Sequence, residues 1–435
     1  MVSSLVAILG LYLGVLFGLL SLGMWFGVTV GAVGVLSFVF LIKGANIHLF
    51  VLIIYNQLRS FTLTAVPLFI FLGEILLHTG IGQKLYRGLM GIMQGIPGGL
   101  LHVNVWSCAL LAAASGSSPA TVATMASVSV PELERLGYNR QWSLGTVTVA
   151  GSLGLMIPPS VALIIYGFMT ETSVVRLFTA GIIPGILLAV LFSTVILVKG
   201  IQNPAALGGE RITIGRGQVL KDALGIVPIL LLIGIVLGSI YAGVATPTES
   251  AALGCVGAVG VAASYRYLTR DGMIQAVRET VIVMGTIGFI IVGALAMSYS
   301  VSHLGLGTLL VRWVESLDIP PIGVLFMLYL VYILLGCVME SLALLLIIVP
   351  IAFPVVVGLG YDPVWFGIVV VVGQELACIT PPIGVNLWVM QGITGEPIER
   401  LARAVLPFFF VLVGFLVVLT FIPQLATWLP DLLFG

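Results

Sequence analysis

Two Pro-Pro pairs lie in the middle of hydrophobic runs, within Gly151-Ser152-Leu153-Gly154-Leu155-Met156-Ile157-Pro158-Pro159-Ser160 and Gln374-Glu375-Leu376-Ala377-Cys378-Ile379-Thr380-Pro381-Pro382. Each pair removes two backbone donors and crowds the preceding carbonyls, so a helix passing through must break and leave oxygens free. Freed carbonyls beside hydroxyls suit a small, hard cation, and the N-termini of the resulting half-helices favour an anionic group. One such pair could be a simple kink. Here both are accompanied by apolar stretches interrupted midway by small or polar residues, Ser115-Gly116-Ser117-Ser118-Pro119 and Glu340-Ser341. Non-helical backbone at membrane depth survives only where protein or a cavity satisfies it, so the two breaks and two interruptions read as one built site.

The two sets are related by an offset of 223. It carries Ile96-Pro97 onto Ile319-Pro320, Ser118 onto Ser341, Pro131 onto Pro354 and Leu136-Gly137-Tyr138 onto Leu359-Gly360-Tyr361. It also carries Trp142 onto Trp365, Leu153 onto Leu376, the first Pro-Pro onto the second and Pro184 onto Pro407. Rare residues in a gapless frame argue for duplication rather than chance likeness of two apolar stretches. Copy one is expected over 1–200 and copy two over 224–423, joined by a polar linker at 201–223 and followed by a tail at 424–435.

The 435 residues are 60% hydrophobic and only 8% charged, against about a quarter charged in soluble domains. Apolar runs of about 20 residues recur along the chain, each long enough to cross a hydrocarbon core as a helix. These features exclude a soluble enzyme and define an all-α polytopic membrane protein in a lipid bilayer. Seventeen basic residues balance seventeen acidic ones, so there is no support for a nucleic-acid surface. The four cysteines lie in apolar segments without CxxC spacing, and the four histidines form no HExxH pattern, so neither structural disulfides nor a transition-metal centre is expected. The start of the chain lacks a basic n-region and cleavage site, and its first apolar stretch, 3–20, is read as a retained span.

Each copy is expected to hold five crossings and one re-entrant hairpin. The crossings fall near 3–20, 24–42, 50–77, 144–170 and 178–199, then near 224–243, 247–265, 280–301, 364–391 and 404–428. The hairpins are 97–134 and 320–358, and the broken helices are 144–170 and 364–391. Five is odd, so the second copy must be inserted upside down. With the N-terminus outside, thirteen of the seventeen Lys and Arg fall in cytoplasmic loops: Lys84, Arg87, Arg135, Arg140, Lys199, Arg211, Arg216, Lys221, Arg266, Arg270, Arg278, Arg400 and Arg403. Lys43, Arg176 and Arg312 remain outside, and Arg59 is placed within a span. Arg135 and Arg140 flank the first Leu-Gly-Tyr turn, whereas Gly358 and Pro363 flank the second.

Several motifs then carry a family resemblance: Ala65-Val66-Pro67-Leu68-Phe69-Ile70-Phe71-Leu72-Gly73-Glu74, Ser115 to Thr121, Gly154 to Ser160, Thr246-Pro247-Thr248-Glu249 and Thr380 to Asn386. The chain resembles, over nearly its whole length, the large membrane subunit of tripartite ATP-independent periplasmic (TRAP) transporters. The resemblance implies a sodium-driven importer of organic acids in the bacterial inner membrane, working by an elevator mechanism. Its implied partners are a small four-helix membrane subunit and a periplasmic substrate-binding protein. At least two sodium ions are expected. Ser115 and the carbonyls of Gly154, Ile157 and Pro159 would hold the first, and Gly336, Ala377, Thr380 and Ile383 the second. The organic acid would meet Ser117, Ser118, Glu340, Ser341 and Asn386, Glu340 standing where the family more often has Asp.

Glu74, Glu340 and Glu375 are carboxyl groups in apolar surroundings, where an unpaired charge is costly. Glu74 could instead pair with Lys84 or Arg87, and Arg59 could snorkel to the interface. Thr246 to Glu249 reads as a helix N-cap, and Trp142, Trp313, Trp365 and Trp428 as interface anchors. A stand-alone sodium/carboxylate symporter of the same design is the close alternative. An intramembrane hydrolase lacks its Ser/His, His/Glu or paired-Asp constellation, and a passive channel is disfavoured because broken hairpins in both copies enclose a site rather than line a pore.

Overall fold

The computed structural model describes residues 2–41, 47–78, 80–209, 214–316 and 319–435. Lys43 and Arg211, counted among the charges above, lie outside them. The described chain is helical, and six of its helices are long and apolar enough to cross a membrane. Shorter apolar helices lie between them: Leu100–Ser115 and Pro363–Ile379 end at an interruption, and Val161–Thr170 begins at one.

Local chemistry sets the helix starts, and it repeats in the 223 frame. Asn139 accepts from the amides of Gln141 and Trp142 and starts Arg140–Ser152, while Asp362 accepts from Trp365 and starts Pro363–Ile379. Ser117 and Glu340 are likewise the N-caps of Ser118–Arg135 and Ser341–Gly358, whose bounds differ by 223 at both ends. Leu100–Ser115 packs against Ser118–Arg135 as the first hairpin, and Pro321–Gly336 against Ser341–Gly358 as the second. Downstream, Arg140–Ser152 gives way to a single 3-10 turn, Leu153–Leu155, before Val161–Thr170. Pro363–Ile379 similarly ends before Val385–Thr394. Both Pro-Pro peptide bonds are cis.

The long helix Val174–Gln202, roughly 43 Å by its rise per residue, gives the two faces of the molecule a reference. Its C-terminal end meets the first Leu-Gly-Tyr turn region. Gly200 lies against Pro97 and Gly98, and the chain just beyond pairs Tyr138 with Gly208 while the Asn139 amide donates to Leu207 O at 2.8 Å. The second turn lies at its N-terminal end, where Tyr166 donates to Pro363 O at 2.6 Å and Gly367 packs on Tyr166 and Leu177. The matched turns thus occupy opposite ends of the same helix.

Two groups of helices pack around the site. Phe26–Leu41, Phe61–His78, Pro247–Ser264 and Arg270–His303 form one wall. Phe26–Leu41 and Arg270–His303 approach so closely that a Cβ on Gly34 would lie 2.5 Å from the Met297 amide, a small-residue contact of the kind that joins membrane helices. The hairpins and broken helices form the other group, with Pro363–Ile379 buried along its whole length at the centre.

The structure corrects four expectations. The crossing at 50–77 is two helices, Ile47–Leu58 and Phe61–His78, so Arg59 sits exposed at a break, over the Tyr55 ring, rather than within a span. Trp365 is not an interface anchor. It is 1% exposed, and its indole donates to Leu419 O at 2.9 Å, because the helix carrying it is enclosed on every side. The crossing expected at 404–428 ends at Phe421, and the chain beyond it forms a separate helix, Gln424–Phe434, tied by Asp431 to Arg176 at 2.6 Å. Glu74 pairs with neither Lys84 nor Arg87: its Oε2 lies 3.4 Å from His78 Nε2 one turn along. Thr246 and Glu249 form the expected cap, a reciprocal capping box at the start of Pro247–Ser264.

Candidate functional site

At the first break, Gly154 and Leu155 would find their helical donors at Pro158 and Pro159, which have none. Ser160 fills one gap, its hydroxyl donating to Leu155 O at 2.5 Å. Gly154 O keeps no such partner from its own helix. The break packs directly against the first hairpin tip: a Cβ on Gly154 would lie 3.1 Å from Ser117 C and O, and one on Gly116 would lie 2.8 Å from Pro159 O. Ser115 is buried in the same place. Because Thr121 Oγ1 donates to Ser117 O at 2.7 Å, it is the Ser115 hydroxyl that donates across the 3.0 Å contact with Thr121; its oxygen accepts from the Ser117 amide at 3.5 Å, which leaves one lone pair for a cation. Ser115, Gly154 and Pro159 therefore converge. Ile157 sits beside them, its amide donating to Leu153 O at 2.9 Å.

The second break is built alike. Ala377 and Cys378 would need donors from Pro381 and Pro382, and the Thr380 amide takes over Ala377 O at 3.3 Å. The Thr380 hydroxyl donates to Leu376 O at 2.5 Å and its carbonyl accepts from Gly384 at 3.0 Å. Gly336 packs on Ala377, where a Cβ would lie 2.5 Å away. The Ile383 side chain is exposed, so only its backbone can serve a site here. Gln374 ties the second tip to this helix, its Nε2 donating to Ser341 O at 2.7 Å.

Both tips open onto one cavity of about 460 Å³. Ser115, Ser117, Ser118, Glu340 and Ser341 line one side of it, and Ile282, Val283, Thr286, Ile287 and Ile290 of Arg270–His303 line the opposing wall. Asn386 does not line it. It is fully buried behind the first tip, accepting from Ser118 Oγ at 2.9 Å and donating to Thr148 O at 3.2 Å, so it couples the second broken helix to the first hairpin. Glu74 and Trp25, outside the sequence-derived site, also line it, among apolar neighbours such as Ile70, Leu77 and Val161. The apolar setting of Glu74 was a signal for the first; nothing local marks Trp25. Two larger recesses lie at opposite ends of Val174–Gln202: about 650 Å³ beside Val174 and Val175, and about 700 Å³ beside Gly200 and Ile201.

A further charged cluster lies where the loop before Ile398–Phe421 meets the start of Arg140–Ser152. Arg140 Nε donates to Glu396 Oε1 at 2.5 Å and Arg400 to Oε2 at 2.7 Å, while Arg140 also pairs with Glu134. The Arg140 hydrogen bond, with Arg400 beside it, holds the Glu396 carboxyl below the usual carboxylate range.

The family model "Tripartite ATP-independent periplasmic transporter, DctM component" matches residues 13–425. A C4-dicarboxylate TRAP transporter large permease protein of Pseudomonas aeruginosa is 35% identical over 383 residues, 87% of this chain and 88% of that one. A sialic acid TRAP transporter large permease protein of Vibrio cholerae is 30% identical over 424 residues, 96% of this chain and 97% of the relative. Among solved structures, the YdaH transporter of Alcanivorax borkumensis aligns with a TM-score of 0.64 at 16% identity, covering 90% of this chain and 91% of that chain, a likeness of fold.

Proposed function

Because the chain belongs to the DctM component family of tripartite ATP-independent periplasmic transporters, and is thus a multi-pass transporter subunit of the inner membrane rather than an enzyme, we propose that it carries an organic acid anion inward, driven by sodium. The observation that supports this reading best is the convergence of two interrupted tips on one cavity, each tip backed by a helix break at a Pro-Pro pair that supplies no backbone donors to the preceding turn. At least two sodium ions would sit at the breaks, one with Ser115, Gly154, Ile157 and Pro159, the other with Gly336, Ala377, Thr380 and Ile383. Neutral oxygens of this kind suit a weakly held alkali ion that must be released on each cycle. The acid would bind between the tips, at Ser117, Ser118, Glu340 and Ser341, with Asn386 bracing the first tip from behind.

The same reading takes the chain as an inverted duplication, an idea supported by the matched caps and by the two Leu-Gly-Tyr turns at opposite ends of Val174–Gln202. The tips and broken helices would move as one body against the wall of Arg270–His303, an elevator motion. A small four-helix membrane subunit and a periplasmic binding protein would complete the transporter. The test is uptake into proteoliposomes with those partners. Uptake should require an inward sodium gradient and rise sigmoidally with sodium; ATP-driven uptake at zero gradient would overturn the proposal.

A further inference from the structure

Positive charge at one end of the molecule is divided unequally between the two groups of helices. On the hairpin and broken-helix group, Arg135 is paired with Glu132, Arg140 with Glu134 and Glu396, and Arg400 with Glu396. Arg87 adds to the field on Glu132. Toward the wall stand Lys84, Arg216, Lys221, Arg266, Arg270 and Arg278, and among the described residues no carboxylate lies within ion-pair distance of any of them. The carboxyl groups on these segments are engaged otherwise: Asp222 accepts from Gln218 at 2.8 Å, Asp271 sits in the first turn of Arg270–His303, and Glu279 acts on Glu74. Both sets lie at the same end, since Gln94, just after Ile81–Met93, shares a recess with Gly200 and Tyr138.

Packing brings the free cations to one corner. A Cβ on Gly91 would lie 2.7 Å from Val219, and one on Gly88 would lie 2.9 Å from Asp222 O, so Ile81–Met93 lies directly on Arg216–Leu224. Lys84 is one turn before Gly88, its Nζ 5.6 Å from the centre of the Tyr265 ring. Tyr265 donates to Gly225 O at 2.5 Å, and its ring lies 6.4 Å from that of Tyr267. Between the two tyrosines Arg266 is exposed and holds a left-handed backbone, φ 57°, uncommon for a residue with a side chain. Aliphatic surface is exposed beside the charges: Leu220 and Leu224 flank Lys221, and Ile274, Val277 and Val281 share one helical face with Arg270 and Arg278.

We propose that this corner is a binding surface for anionic phospholipid and that it anchors the wall in the leaflet. The lipid phosphates meet Lys84, Arg266 and Arg270, and the acyl chains lie along Leu224, Val277 and Val281. Cations without protein partners at headgroup depth are attracted to an anionic leaflet, whereas arginines already spent on Glu132, Glu134 and Glu396 offer it little. The rings of Tyr265 and Tyr267 suit the same depth, being apolar in body and polar at the tip. This surface stands apart from the cavity and does not depend on what the cavity carries.

The experiment is thermal unfolding of the purified membrane complex in neutral detergent, titrated with dioleoylphosphatidylglycerol, dioleoylphosphatidylcholine or inorganic phosphate. Phosphatidylglycerol should raise the melting temperature where the other two do not, and high salt should weaken its effect. Replacing Lys84, Arg266 and Arg270 together by Gln should raise the half-saturating phosphatidylglycerol about a hundredfold, at roughly fivefold per charge. Arg135→Gln, on a paired arginine, should leave that titration unchanged. If the triple variant melts early without lipid, Arg270→Gln with Arg278→Gln carries the same test. Equal stabilisation by phosphatidylcholine or by phosphate, an unchanged titration in both sets of variants, or an equal loss in Arg135→Gln overturns the proposal. Release of the small membrane subunit by the triple variant, with no response of the wild-type complex to phosphatidylglycerol, gives the surface to that subunit and overturns it as well.

Discussion

Gly154 stands where a side chain would press directly on the backbone of the first tip. Its missing Cβ would already lie 3.1 Å from the Ser117 carbonyl carbon and oxygen, so Gly154→Leu must push the first tip away from the first break. That variant should abolish sodium-dependent uptake, whereas Ser115→Ala, which removes one neutral ligand and leaves the backbone path intact, should raise the sodium needed for half-maximal uptake several-fold, the equivalent of about 1 kcal/mol. Wild-type uptake and sodium dependence in Gly154→Leu would place the cation site elsewhere. Ser118 acts differently, since its hydroxyl is spent on Asn386. Ser118→Ala leaves Asn386 Oδ1 buried without its donor, which should cost about 1–3 kcal/mol and lower the melting temperature. An unchanged melting curve would mean that the bond between the first tip and the second broken helix contributes nothing to stability.

At the scale of elements, one charged anchor joins the loop after the second broken helix to the start of the first. Glu396 ties the loop after Val385–Thr394 to the start of Arg140–Ser152 through Arg140, and to its own following helix through Arg400. Since Arg140 and then Arg400 depress its folded-state pKa, the group adds stability that is fully present above the ordinary carboxylate value of about 4.3 and is lost as pH falls through the lower folded value. Melting curves of wild type and Glu396→Gln should therefore differ at neutral pH and draw together as the pH drops below about 4. A gap that widened toward acid would contradict the ion-pair origin. One helix start was legible in the sequence: Thr246 to Glu249 reads as an N-cap, and the structure shows a reciprocal capping box there.

For the whole molecule, the inverted duplication makes a claim about sidedness. Glu134 and Val357 are matched and exposed positions just before the two Leu-Gly-Tyr turns, which lie at opposite ends of Val174–Gln202. Single cysteines there, in a cysteine-free background, should react with an impermeant maleimide from opposite faces of the membrane, Glu134→Cys from the cytoplasm. Labelling of both from one face would end the inversion.

The sequence by itself determined that the chain is helical and membrane-spanning, where its helices break, and which residues recur in a 223 frame. These are local properties: hydropathy over a bilayer's width, proline's missing donor, and cap residues that act within three or four positions. Tertiary structure decided what those local features meet. Asn386 sits behind the first tip through a contact to Ser118 spanning 268 positions, a pairing no periodicity announces. Trp365 is enclosed because its helix is surrounded, and Arg59 lies at a break because Ile47–Leu58 ends before Phe61–His78 begins. Glu74 and Trp25 enter the cavity only because close packing at small residues, Gly34 against Met297 and Gly73 against Ser115, brings Phe61–His78, Phe26–Leu41 and Arg270–His303 against one another and the first tip. Such placements depend on how helix surfaces fit together, and in a chain apolar on nearly every face, hydropathy does not say which face meets which neighbour.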